Sequence, residues 1–113
     1  MVPTNLGERI LTKLSDYHAR AVGIAWFRKE DYAALIRVFE DGNKFTRTWE
    51  QWLKGAEKDE ARFKADGYVV ERVYIDPDTF PDWCHKAGVR ADRQGRLKFA
   101  GEFVAKKYGR NQS

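Results

Sequence analysis

The sequence predicts an α/β domain, with a helix-rich α+β arrangement as the alternative. One amphipathic segment is followed twice by the same pattern, a short β-rich apolar run and then two helix-like segments. The chain has 113 residues, of which 42% are hydrophobic and 14% aromatic, and this suits one folded domain. We therefore expect a single domain over residues 1–113, in which 1–21 form an N-terminal helical extension and 22–109 form the core.

The N-terminal segment over residues 5–20 is predicted to be a helix, with Asn5 as its cap. Its apolar residues recur at helical spacing: Ile10, Leu11, Leu14, Tyr17, His18 and Ala21.

The run Val22–Phe27 (VGIAWF) is predicted to be a buried strand, because it is short, mostly apolar and alternating. Its small residues, Gly23 and Ala25, share one face and would let a helix pack close to the backbone. The alternative is one long helix over residues 8–40, which would pass through Gly23 at a cost of about 1 kcal/mol relative to alanine.

Two helices are predicted next, over residues 29–41 and 49–65. The first has an apolar stripe at helical spacing, formed by Tyr32, Leu35, Ile36 and Phe39. The second begins with Thr48 and Gln51, whose spacing is that of a capping box.

The second strand is predicted to begin at Val69, and the position of the following helix depends on Pro81. A helix that begins after Thr79 places Pro81 at its second position, where no hydrogen bond is lost, and completes the capping pattern Thr-x-x-Asp. Gly88 should end this helix.

The last helix is predicted to run from a capping Asp92 to about Tyr108, with Gly109 as its stop. Its expected buried stripe consists of Leu97, Ala100, Gly101, Val104 and Tyr108, widened by Phe99 and Phe103.

Helices between the two strands favour right-handed crossovers and a parallel pairing. Two strands make a small sheet, so either the helices carry most of the core, or two copies of the chain pair their exposed edges into a four-stranded sheet. The partner we expect is accordingly a second copy in a homodimer or another protein.

Three segments carry a resemblance: AWFRKEDYAALIRVFED, TWEQWLKGAEKDE and VYIDPDTFPDWCHKAG. They resemble a family of short bacterial proteins of unknown function, in which a strand ends in Trp-Phe and a later Ile-Asp-Pro-Asp-x-Phe-x-x-Trp-Cys precedes a glycine. The resemblance covers residues 22–105 and implies no activity, cofactor or site residue.

Positive charge is concentrated near the C-terminus, although the whole chain carries only +4. Arg93 and Arg96 fall in the first turn of the last helix, where the helix dipole disfavours cations, and Arg90 precedes them. We therefore expect an anion- or partner-binding site at Arg90, Arg93 and Arg96; the alternative is a solvated basic face.

Other candidate residues have structural explanations. Cys84 and His85 are adjacent on a helix and point about 100° apart, which disfavours a shared metal ion. Asp76, Asp78 and Asp82 fit the start of a helix. The sequence predicts no metal, no cofactor and no catalytic residue.

The leading hypothesis is a non-enzymatic cytoplasmic domain for protein interaction or self-association. Binding of nucleic acid or another anion through the basic C-terminal helix is the alternative, and an enzyme that uses Cys84, Asp82 or His85 is a third. Because there is no signal segment and no apolar run near the roughly 20 residues of a membrane helix, we expect a cytoplasmic location and no membrane contact.

Overall fold

The computed structural model describes residues 20–109, so the predicted helix over residues 5–20 lies outside the described part apart from Arg20. The elements follow in the order β1 (Ala21–Trp26), a 3-10 turn (Lys29–Asp31), α1 (Tyr32–Val38), a second 3-10 turn (Gly42–Lys44), α2 (Trp49–Ala65), β2 (Val69–Tyr74), α3 (Phe80–Ala87) and α4 (Arg93–Tyr108). The predicted repetition of strand-helix-helix is confirmed.

The run after Arg20 is a strand, so the alternative of one long helix through Gly23 is wrong. Strands β1 and β2 pair in parallel, with Ala21 opposite Val69 and Trp26 opposite Tyr74. The mixed α/β fold that the sequence predicts is therefore present, with a sheet of two strands.

Helix α2 has the predicted bounds and the predicted capping box. The Thr48 hydroxyl accepts a hydrogen bond from the Gln51 amide, and the Gln51 side chain accepts one from the Thr48 amide. These two bonds satisfy donors that are otherwise unpaired at a helix start.

The helix predicted over residues 29–41 is shorter than expected. Its first three residues form a 3-10 turn, and it ends before Phe39, whose backbone is extended (φ −73°, ψ 133°). The Glu40 amide donates to the Ala91 carbonyl at 2.7 Å. This contact with a distant segment gives the amide a partner outside the helix.

Helix α3 begins after Thr79 with Pro81 at its second position and ends at Gly88, as predicted. Gly88 has a left-handed backbone (φ 72°), which glycine adopts without strain. The predicted Thr-x-x-Asp cap is wrong, because the Thr79 side chain makes no capping bond. Instead, the Asp76 carboxylate accepts from the Asp78 amide, and the Asp76 carbonyl accepts from the Phe80 amide.

The buried face of α4 differs from the predicted stripe. Leu97 and Phe103 are 51% and 44% exposed, and Gly101 is exposed as well. The buried residues are Gly95, Arg96, Ala100 and Val104. The amphipathic pattern misleads here because an arginine occupies an inward position.

Helix α4 packs directly on the small face of β1, as expected from Gly23. A Cβ atom at Gly23 would lie 2.6 Å from the Ala100 carbonyl oxygen and 2.7 Å from Val104 Cγ2. A side chain at this position would therefore force α4 away from the strand.

Helix α2 covers the opposite face of the sheet, where the rings of Trp26 and Trp52 meet edge to face at 5.3 Å. The sheet is therefore the middle of three layers.

The main core cluster includes Phe27, Tyr32, Leu35, Phe39, Ile75, Phe80, Cys84 and Ala91. Within residues 20–109, no helix is long and apolar enough to cross a membrane.

Candidate partner-binding groove

The outer edge of β1 is unpaired among the described residues. Val69 donates to the Arg20 carbonyl and Ile75 to the Trp26 carbonyl, so even-numbered residues of β1 bond to β2. Backbone groups alternate along a strand, and those of Ala21, Gly23 and Ala25 therefore point outward. Within residues 20–109 these outward backbone groups have no hydrogen-bond partner.

A groove of about 440 Å³ runs along this edge. Residues 22–25 form its floor, and helices α2 and α4 form its two walls. The α2 wall includes Trp52 and Phe63, and the α4 wall includes Arg93 and Leu97. An unpaired strand edge between two helices is the geometry that an added extended segment requires.

Aromatic side chains form one end of the groove. Phe27 stacks on Trp52 with ring centroids 4.6 Å apart, and its ring lies 5.9 Å from that of Phe45. The Trp49 indole donates a hydrogen bond to the Phe27 carbonyl at 2.8 Å. These contacts fix an apolar surface that lines the groove beyond the end of β1.

Arg96 is buried and its charge is already neutralised. The two terminal nitrogens of its guanidinium, Nη1 and Nη2, each donate to one oxygen of the Asp41 carboxylate at 2.9 Å, and the guanidinium carbon lies 4.4 Å from the centre of the Phe39 ring. Hydrogen bonding to Arg96 lowers the pKa of Asp41 against the opposing effect of burial. Arg96 therefore acts as an internal link between α4 and the segment that follows α1.

The other two predicted site residues lie at the surface. Arg90 donates to the Glu40 carboxylate at 2.7 Å and does not line the groove. Arg93 is exposed and has no ion pair within residues 20–109. The structure thus places Arg93 and Arg96 in the groove wall and Arg90 outside it. The predicted anion site at the three arginines stays a prediction, and of the three only Arg93 has no ion pair with a described residue.

Most of the other C-terminal cations are also paired. Lys98 lies 3.1 Å from the Glu102 carboxylate, and Lys107 lies 2.7 Å from that of Glu71. In the described part of α4, Lys106 joins Arg93 as a cation without an ion pair. In the folded chain, ion pairs with carboxylates therefore offset much of the positive charge near the C-terminus.

Cys84 is enclosed in the core, where it is 2% exposed. Burial raises the pKa of its thiol, and the negative charges of Asp92 and Glu40 act in the same direction. His85 is exposed, and the Asp82 carboxylate lies 3.5 Å from Lys86. Neither Cys84 nor His85 lines the groove. Within residues 20–109 no three His, Cys, Asp or Glu side chains are grouped to hold a metal ion.

An ion pair between Glu60 on α2 and Arg72 on β2 holds the α2 wall against the sheet, and the sequence does not predict it. Arg72 on β2 donates to both oxygens of the Glu60 carboxylate, at 2.7 and 2.8 Å, and its guanidinium lies 4.1 Å from the centre of a ring of Trp26. These hydrogen bonds lower the pKa of Glu60 and raise that of Arg72. The pairing joins residues from different elements, so no local pattern indicates it.

We compared the chain with protein-family models, with curated proteins and with solved structures, and none of them matches it. The resemblance to a family of short bacterial proteins therefore stays an expectation. The groove is the candidate functional site.

Proposed function

We propose that this chain is a non-enzymatic protein-interaction domain, which takes up an extended segment of another protein as a third strand beside β1. One observation carries the proposal: the edge of β1, which no described residue pairs with, forms the floor of a groove between two helices. Binding by strand addition uses backbone hydrogen bonds for affinity and side-chain pockets for specificity.

The backbone supplies a regular set of partners. Gly23 and Ala25 each present an N–H and a C=O to the groove, and Ala21 presents the same groups on the strand edge just before it, at the spacing of a parallel or antiparallel neighbour. A backbone hydrogen bond contributes a net 0.5–1.5 kcal/mol or so in proteins, so several bonds together give useful affinity.

The walls favour an apolar segment. Trp52 and Phe63 face the groove from α2 and Leu97 faces it from α4, so side chains on both faces of an added strand would meet apolar surface. Leu97 is 51% exposed, and an added strand would cover it. Burial of apolar area yields about 25 cal/mol per Å² before the cost of association.

A second copy of the chain is another source of an extended segment. Two β1 edges related by a twofold axis would pair antiparallel and give the four-stranded dimer expected from the sequence. Light scattering at increasing concentration measures this directly. A dimer that Leu97→Asp dissociates would identify the second copy as the occupant.

Selection of random seven-residue peptides on the full-length chain tests the proposal. We expect selected peptides to bind the wild type, and Leu97→Asp to weaken their binding by about tenfold or more, because it places a charge on the wall. Phe103→Asp is the matched control, since Phe103 is an exposed apolar residue of the same helix outside the groove. Failure to select any peptide, or equal losses in both variants, would contradict the proposal.

Nucleic-acid binding through α4 is the second candidate, supported by Arg93 and Lys106, which are exposed and form no ion pair with any residue in 20–109. Each phosphate contact contributes a slope of about −0.9 in a plot of log K against log salt. Two contacts would therefore give a shallow slope for a short duplex. A salt-independent affinity, or none, would remove this candidate.

A further inference from the structure

We infer that the segment bound beside β1 carries an acidic side chain that pairs with Arg93, and an apolar side chain two residues away that packs on Leu97. This inference rests on the proposed function and adds the chemistry of the ligand. It makes Arg93 the residue that sets charge specificity.

The charges in the groove single out Arg93. Arg62 on the opposite wall donates to the Asp59 carboxylate at 3.0 Å, and Arg96 is held by Asp41 at 2.9 Å. Three arginines and one aspartate line the groove, so its lining is cationic. Arg93 alone among these arginines has no ion pair within residues 20–109, and a ligand carboxylate would supply one.

The spacing along α4 sets the pattern in the ligand. Arg93 and Leu97 are four residues apart on one helix, which corresponds to a rise of roughly 6 Å. Side chains on one face of a strand recur every second residue, at a distance of roughly 6.6 Å. One face of an added strand therefore matches both residues when an acidic and an apolar position are separated by one residue.

The same charge argument disfavours a second copy as the occupant. The β1 sequence AVGIAW contains no acidic residue, so its pairing with the β1 of another copy would leave Arg93 without a partner from the added strand. A segment of a different protein, with an acidic residue in an extended apolar stretch, complements the groove better.

Charge pairing at an exposed position changes selectivity more than affinity. We therefore test preference directly, by selecting random seven-residue peptides on the full-length wild type, on Arg93→Glu and on Lys106→Glu. Lys106 is the matched control, because it is an exposed cation of the same helix outside the groove and has no ion pair in the described part of the chain.

On the wild type we expect enrichment of Asp or Glu two positions from a large apolar residue. Arg93→Glu should replace that preference by Lys or Arg at the same position, and should leave the apolar position unchanged. Lys106→Glu should retain the wild-type preference. For one synthetic acidic peptide, we expect Arg93→Glu to weaken binding by about tenfold and Arg93→Gln by less, because only the former adds repulsion.

Peptides that bind in the groove, as judged by their sensitivity to Leu97→Asp, but show no acidic preference or keep it in Arg93→Glu, would overturn this inference and leave the proposed function standing. Failure to select any peptide would overturn both. A dimer that is dissociated by Leu97→Asp would overturn the acidic ligand in favour of a second copy.

Discussion

Arg96 shows why a residue that opposes the helix dipole need not indicate a ligand. Its position in the first turn of α4 is unfavourable for a cation. The bidentate contact with Asp41 at 2.9 Å provides a local anion that compensates. The sequence favours an external anion at this position because the two partners are separated by 55 residues.

Loss of the Asp41 carboxylate should therefore be costly. We expect Asp41→Asn to lower the free energy of unfolding by about 3 kcal/mol, because it leaves a buried guanidinium without a charged partner. Urea denaturation measures this change.

The control is Glu40→Gln, which removes the partner of Arg90, a residue with a side chain 77% exposed. The loss in this variant should be clearly smaller, since exposed ion pairs contribute little. Equal losses in the two variants would show that Arg96 is not held as described.

Cys84 should be unreactive in the folded protein. Burial raises the pKa of its thiol, so that little thiolate forms near neutral pH, and the surrounding core blocks access. We expect alkylation by iodoacetamide to be slow in native buffer and fast in concentrated urea. A native rate equal to that of the denatured chain would place the thiol at the surface.

At the level of elements, close packing of α4 on β1 depends on Gly23. We expect Gly23→Ala to destabilise the protein by 1–3 kcal/mol or so, because the new methyl group would meet the Ala100 carbonyl at 2.6 Å. The helix would have to move away from the strand, and that movement would widen the groove. Thermal or urea unfolding measures the loss.

Gly101→Ala is the opposite case on α4 itself. Nothing lies within 4 Å of a Cβ at Gly101, so alanine should raise stability by about 0.5–1 kcal/mol through helix propensity. The changes in unfolding free energy at the two glycines should therefore have opposite signs. The same sign at both would contradict the packing described here.

The ion pair between Glu60 on α2 and Arg72 on β2 should make the free energy of unfolding depend on pH in the acid range. The pKa of Glu60 is lowered by its hydrogen bonds from Arg72, so the pair stabilises the fold fully above the unfolded-state pKa of about 4.3. That contribution is lost as pH falls through the lower pKa of the folded state. Glu60→Gln should reduce the rise in unfolding free energy between acid and neutral pH; an unchanged rise would count against the link.

Local signals predicted most of the elements. The capping box at Thr48, the position of Pro81 and the glycine after α3 act within a few residues, and each one marks a helix end correctly. The errors arise where distant contacts decide. The Glu40 amide finds a partner at Ala91, and the buried Arg96 turns Leu97 outward.

The candidate site was predictable only in part. The unpaired edge follows from the count of two strands, and Arg93 follows from the charge pattern. The groove does not, because its walls come from helices that are far apart in the sequence. The pairing of Arg90 with Glu40 was equally hidden, since 50 residues separate them.

At the scale of the whole molecule, the described part of the chain has a sheet of only two strands, fewer than most protein sheets have. Beside β1, between the two helical walls, there is room for a third strand. Among the described residues, this position offers backbone N–H and C=O groups without a hydrogen-bond partner, apolar walls and a cation without an ion pair. An acidic extended segment fits all three features. The proposed function rests on this arrangement as a whole, because the backbone groups come from the strand and the walls come from the two helices.

Amide hydrogen exchange along β1, measured by NMR on the full chain, tests the central claim most directly. Without a ligand, the amides of Ala21, Gly23 and Ala25 should exchange much faster than those of Ile24 and Trp26, which bond to β2. Adding a selected acidic peptide should protect the three outward amides. Outward amides that are as protected as their neighbours in the free monomer, or that gain no protection from the bound peptide, would contradict the account.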